Sequence, residues 1–135
     1  MFWALLITFL LTQRKKMDFT LRIYRKLLST LLHHGYQFLT FEIYCTLSAD
    51  QRPTRFIILR HDVDLKAAHS LRTAQIEHEL GIQASYYFRV VPQSNQPDII
   101  RAIAALGHEI GYHYEDMALT HGNAEHAFEH FKKQL

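Results

Sequence analysis

From Asp18 onward the apolar residues fall into short runs whose spacing changes along the chain. Leu21, Tyr24, Leu28 and Leu31 recur at helical spacing, with Asp18 or Thr20 to cap the start and Gly35 to end it, which predicts a helix over residues 18–34. Residues 37–41 read as a short extended piece, and residues 48–54, polar and carrying Pro53, as a loop. Phe56-Ile57-Ile58-Leu59 is a continuous apolar run of the kind shown by a strand buried on both faces. A helix follows over residues 65–80, with Ala67, Leu71 and Ala74 on one side and Gly81 just past its end. Residues 84–91 read as a second strand. Pro97 suits the first position of the next helix, where its missing N–H costs nothing; Ile99, Ile100, Ile103 and Leu106 form its stripe and Gly107 closes it. Residues 108–114 make a third strand, and Asn123 caps a last helix with the stripe Ala124, Phe128, Phe131 and Leu135.

Strand, helix, strand, helix, strand, helix is the signature of an α/β fold built from parallel βα units. Crossovers of this type are right-handed, so the strands point one way and their C-terminal ends share a rim. That rim is where α/β folds bind ligands.

Two chemistry-bearing clusters fall at predicted strand ends: Arg60-His61-Asp62-Val63-Asp64 after the first strand, and Tyr112-His113-Tyr114-Glu115-Asp116 after the third. An Asp-x-Asp leaving a strand lets one carboxylate hold a divalent cation while the other handles a proton, and buried carboxylates are costly unless paired or metal-bound. Residues two apart on a strand share a face, so His113 and Glu115 look the same way. His108, near the other end of that strand, reads as structural. Each feature also has a plain explanation. Asp62 or Asp64 suits the N-cap of the following helix, and Glu115 and Asp116 suit solvated loop positions.

Composition narrows the field. A chain of 135 residues holds one domain with a core, and 48% apolar with 21% charged residues is near the globular average. A formal charge of +2, with the basic residues scattered apart from Arg14-Lys15-Lys16, argues against nucleic-acid binding. The single cysteine, Cys45, excludes an internal disulfide and any multi-cysteine zinc site, and its neighbours suggest a partly buried structural thiol. No Gly-x-Ser-x-Gly elbow or Gly-rich phosphate loop is present. Of the ten histidines, His33, His34, His69, His78, His126 and His130 fall on wet or half-wet helix faces. Residues 1–16 form an apolar-then-basic extension. Its apolar part is short of the roughly 20 residues of a spanning helix, and its charges follow the apolar run rather than precede it as in a secretory signal. The expectation is a domain over residues 17–135, a cytoplasmic location, and at most weak membrane contact through residues 1–12.

Arg60-His61-Asp62-Val63-Asp64, with Gly107-His108-Glu109-Ile110-Gly111-Tyr112-His113 after it, resembles the polysaccharide deacetylase superfamily, the NodB-like or carbohydrate esterase family 4 group. The Gly-His-Glu-Ile-Gly-x-His stretch is the more specific motif, and residues 19–41 are similar to the lead-in of a bacterial subgroup. The resemblance implies an irregular (β/α)7 barrel, a divalent ion such as zinc, and removal of acetyl groups from a carbohydrate substrate, some relatives cleaving other amide C–N bonds. It implies Asp62 as general base, Asp64 as a metal ligand, and His113 as the first of the family's two metal-binding histidines. The water attacking the acetamide carbonyl would be activated on the metal.

The sequence departs from that family in two places. Met117 stands where the second histidine is expected, so the third ligand falls to Glu115 or to a group outside the chain, with His121 a weaker candidate. Three βα units make a partial barrel, incomplete at the C-terminus, without the family's later substrate-contacting and general-acid motifs. An N-terminal portion of the domain is therefore expected, with little activity alone and self-association through an open sheet edge. Two other functions compete. A haloacid-dehalogenase-type phosphohydrolase also begins with a strand and Asp-x-Asp, but Leu65-Lys66 follows here in place of the usual Gly-Thr. A non-catalytic remnant or partner-dependent fragment is the third reading.

Overall fold

The computed structural model describes residues 20–134. The expectations for the extension, for a domain start at Met17, for an Asp18 cap and for Leu135 lie outside the described residues.

Helix α1, Leu21–His33, begins at Thr20, whose hydroxyl accepts the Ile23 N–H at 3.3 Å, and ends before Gly35 at φ 77°. Strand β1, Gln37–Leu39, follows it. The chain then turns into helix α2, Phe41–Thr46, because the Thr40 hydroxyl accepts the Ile43 N–H and starts a helical turn. This turn ends the extended piece two residues early and leaves Cys45 exposed, which corrects the partly buried thiol expected there.

Strand β2, Phe56–Ile58, pairs in parallel with β1. The chain continues past Leu59 as strand β3, Arg60–Val63, and changes partner as it does so. Leu59 O accepts the Ser85 N–H at 2.9 Å, which starts the ladder to strand β4, Ser85–Phe88. Strand β5, Glu109–Tyr112, pairs with the other side of β4, also in parallel. The architecture is mixed α/β, with short parallel strands in a two-stranded and a three-stranded sheet. The apolar run 56–59 is thus only the first half of an extended stretch, and Asp62 lies inside β3 rather than past a strand end.

Helix α3, Ala67–Glu79, links β3 to β4, and helix α4, Pro97–Ala105, links β4 to β5 with Pro97 in its first turn. Both cover one face of the three-stranded sheet. There Val63, Tyr86 and Phe88 pack against Ala67, Ala74 and Ile103. Tyr24 and Leu28 of α1 form a second cluster with Ile76 and Ile82.

The other face is polar. By strand alternation and the observed register it carries Arg60 and Asp62 on β3, Ser85 and Tyr87 on β4, and Glu109 and Gly111 on β5. The run 56–59, read as a strand buried on both faces, is itself only half-buried. The start of α2 closes one end of that face, where the Phe41 N–H donates to Glu109 Oε2 at 2.9 Å and to Ser85 Oγ at 3.2 Å.

After β5 comes a short helix that the periodicity misses, α5, Asp116–Leu119, and then α6, Ala124–Gln134. Asn123 caps α6 as expected, its Oδ1 accepting the His126 N–H at 3.0 Å. Ala127 and Phe131 face inward on α6, whereas Phe128 is 59% exposed and leaves the expected stripe. Among the described residues no helix is long and apolar enough to cross a membrane.

Candidate metal centre

The ladder register sets the site. One residue beyond the pairing of Val63, Phe88 and Tyr112 stand Asp64, Arg89 and His113, on the polar face. The ladder bonds continue to that row: the Arg89 N–H donates to Val63 O at 3.3 Å and the His113 N–H to Phe88 O at 2.8 Å. Side chains from three strands therefore meet at one rim by backbone geometry alone.

His113 stands between the two aspartates of the Asp-x-Asp pair. Its Nδ1 is 3.5 Å from Asp64 Oδ1, and its Nε2 is 3.8 Å from Asp62 Oδ2. Nδ1 is buried and makes no hydrogen bond. Glu115, two residues on, comes to the same place, so Asp64, His113 and Glu115 each offer a ligand atom within 4.8 Å of the others. Two ligand atoms on a tetrahedral zinc ion stand roughly 3–4 Å apart, given bonds of about 2.0–2.2 Å, and the 3.5 Å between His113 and Asp64 fits that span. A buried ring nitrogen without a hydrogen bond, with Asp64 beside it and Glu115 in the same cluster, suits a divalent cation, because the cation would accept its lone pair and offset both negative charges.

Asp62 has a different environment. Its Oδ1 accepts a hydrogen bond from Arg60 Nε at 2.7 Å, and the Arg60 guanidinium lies over the Tyr87 ring at 4.6 Å. The Tyr87 ring in turn lies over Gly111, where a Cβ would come 2.4 Å from Cε1. Gly111 is thus what admits the ring that supports Arg60. Neither aspartate caps α3: the N-cap is Lys66, with no side-chain bond. Asp62 and Asp64 also border a cleft with Lys66, His69 and Ser70.

The remaining candidates fall elsewhere. Met117 is exposed, and His121 is exposed in the turn after α5, outside the cluster. His108 is buried on the helix-covered side of the molecule, its Nδ1 accepting the Ala84 N–H at 3.1 Å and its Nε2 donating to Ala74 O at 3.0 Å. Burial lowers its pKa.

Two buried clusters carry polar chemistry that the sequence reading misses. Glu77 is fully buried and accepts hydrogen bonds from Tyr24 on α1, from His61 Nε2 at 2.7 Å and from the Tyr86 hydroxyl at 2.7 Å. Burial first, and Glu77 second, raise the pKa of both phenols. Its signal is an acid three residues after Ala74, on the buried stripe of α3. Asp116, expected as a solvated loop acid, is also fully buried, and it accepts from Tyr112 at 2.8 Å and from His130 Nδ1. Burial pushes the Asp116 carboxyl up and the two hydrogen bonds more than offset this, holding it below the ordinary range. The Tyr112 phenol is pushed up to about 12, by burial and then by Asp116. Asp116 and His130 lie on different helices, so no local spacing announces the pair.

Comparison with family models, with curated proteins and with solved structures finds no match for the chain.

Proposed function

We propose that this chain carries the metal- and base-bearing part of a hydrolase of the polysaccharide deacetylase type, acting on acetylated amino sugars or a related amide. The observation that carries this reading is the meeting of Asp64, His113 and Glu115 within 4.8 Å, with His113 Nδ1 buried and without a hydrogen bond beside Asp64 and with Asp62 on the far side of the same ring. One imidazole and two carboxylates are a donor set that suits zinc or a similar divalent ion. When bound, such an ion lowers the pKa of a coordinated water and polarises a carbonyl.

The chain's own residues divide the work. Asp64, His113 and Glu115 hold the cation. Asp62, which is outside that trio, is the general base and takes a proton from the attacking water. Its Oδ1 is committed to Arg60, so Oδ2, on the His113 side, receives the proton. Arg60 fixes the carboxylate in one orientation and Tyr87 fixes Arg60. Strand β5 is at the edge of its sheet, which suits further strands or a second copy beside it.

The test is acetate release from chito-oligosaccharides by the zinc-loaded chain, alone and with any in-frame downstream segment. Activity should vanish in Asp62→Asn and on removal of the metal. Activity that survives both would rule the reading out.

A further inference from the structure

Arg89 is the one member of the rim row that the metal reading leaves without a role. It comes from the central strand, between Asp64 and His113 in the ladder. Its side chain is 25% exposed and reaches Glu115, with Nε at 2.6 Å and Nη2 at 2.5 Å from the same oxygen, Oε2. A guanidinium that grips a carboxylate through a single oxygen leaves the other one, Oε1, available as a ligand. Glu115 needs this help. It sits at the N-cap of the four-residue helix α5 at φ −136°, makes no capping bond of its own, and is the ligand with the least support from the sheet.

We infer that Arg89 is the positioning residue of the metal centre: by holding Glu115 Oε2 it aims Oε1 at the space shared with Asp64 and His113. This rests on the metal reading above. Partners that orient metal-ligating carboxylates typically change metal affinity 10–100-fold when they are replaced. An opposing role has the opposite sign. If Arg89 only competes with the metal for Glu115, its positive charge weakens binding and its loss strengthens it.

The experiment keeps the charge and removes the fork. Zinc affinity of the full chain is measured by competition with a chromophoric chelator for the unaltered chain, Arg89→Lys, Glu115→Gln and the double variant. Arg89→Lys should bind zinc at least 10-fold more weakly, and in the Glu115→Gln background the same change should move affinity less than 3-fold, since outer-shell effects act through the ligand they orient. Arg89→Gln gives a second reading if the lysine variant folds poorly. It too should bind more weakly, although loss of the charge alone would tighten binding. Unchanged or tighter binding in both Arg89 variants overturns the inference. Failure of the unaltered chain to bind zinc above Asp64→Asn would instead remove the metal reading itself, and this inference with it.

Discussion

Glu77 is a severe test of how this fold is held together. Its carboxylate is fully buried and joins three elements: α1 through Tyr24, β3 through His61 and β4 through Tyr86. Glu77→Ala removes three hydrogen bonds to a charged acceptor, each worth about 1.5–3 kcal/mol. Part of that is recovered, because the costly desolvation of a carboxylate is no longer required, and Tyr86 keeps a contact with Thr73 Oγ1 at 3.1 Å. A net loss of about 4 kcal/mol is expected, against a total stability of about 5–15 kcal/mol. Glu77→Gln keeps the volume and one oxygen. Its amide can donate to the Tyr86 hydroxyl, which then donates to Thr73, so the cost should fall to about 1–2 kcal/mol. Urea unfolding followed by circular dichroism separates the cases. With a slope of about 2 kcal/mol/M, the alanine variant should lose about 2 M in midpoint and the glutamine variant under 1 M. An alanine variant within about 1 kcal/mol of the unaltered chain, or a glutamine variant as damaged as the alanine one, would mean that Glu77 does not tie these three elements together.

Gly111→Ala should displace the Tyr87 ring, because a Cβ 2.4 Å from Cε1 cannot be accommodated in place. The expected cost is about 1–3 kcal/mol in urea unfolding, as for other overpacked sites, and Tyr87→Ala in the same chain should relieve it. His108 predicts a pH dependence. Its folded pKa is lowered, so below the ordinary histidine value of about 6.5 the unfolded chain takes up a proton that the folded chain does not, and stability falls as pH drops from there toward the folded pKa. Glu77 Oε2 at 3.7 Å and the nearby His61 and His78 oppose one another in setting that value. His108→Gln, which can still accept from Ala84 and donate to Ala74, should flatten the slope below about pH 6.5 in parallel unfolding curves.

The sequence makes some of this legible and hides the rest for physical reasons. Strand–helix alternation is enough to set β3, β4 and β5 parallel, because a helix crosses over between each pair and Gly81 and Gly107, at positive φ, stop those helices before the next strand. Parallel strands then send Asp64 and His113 to one rim from separate parts of the chain. The polar face is harder to read. Arg60, Asp62, Tyr87 and Glu109 alternate with the residues that face the helices, a pattern that suggests solvent until the register lines them up on one surface. The reach of β3 past Leu59 is hidden for the same reason, since the apolar run stops at Arg60, where the residues of the polar face become charged. The long-range partners of Glu77 and Asp116, Tyr24 and His130, are illegible from local pattern because only packing between helices brings them there. Arg89 gives no signal at all beside the aromatic run Tyr86-Tyr87-Phe88, and it acquires a role only through Glu115.

A divalent cation held by Asp64, His113 and Glu115 would be seen at once in a crystal structure of the zinc-soaked chain with data collected on both sides of the zinc absorption edge. One strong anomalous peak is expected at the rim, about 2.0–2.2 Å from the carboxylates of Asp64 and Glu115 and about 2.0–2.1 Å from His113 Nδ1. A chain with ten histidines offers zinc other places, among them the adjacent His33 and His34. Zinc density on such surface pairs, with none between Asp64 and His113, would mean that the rim is not a metal site.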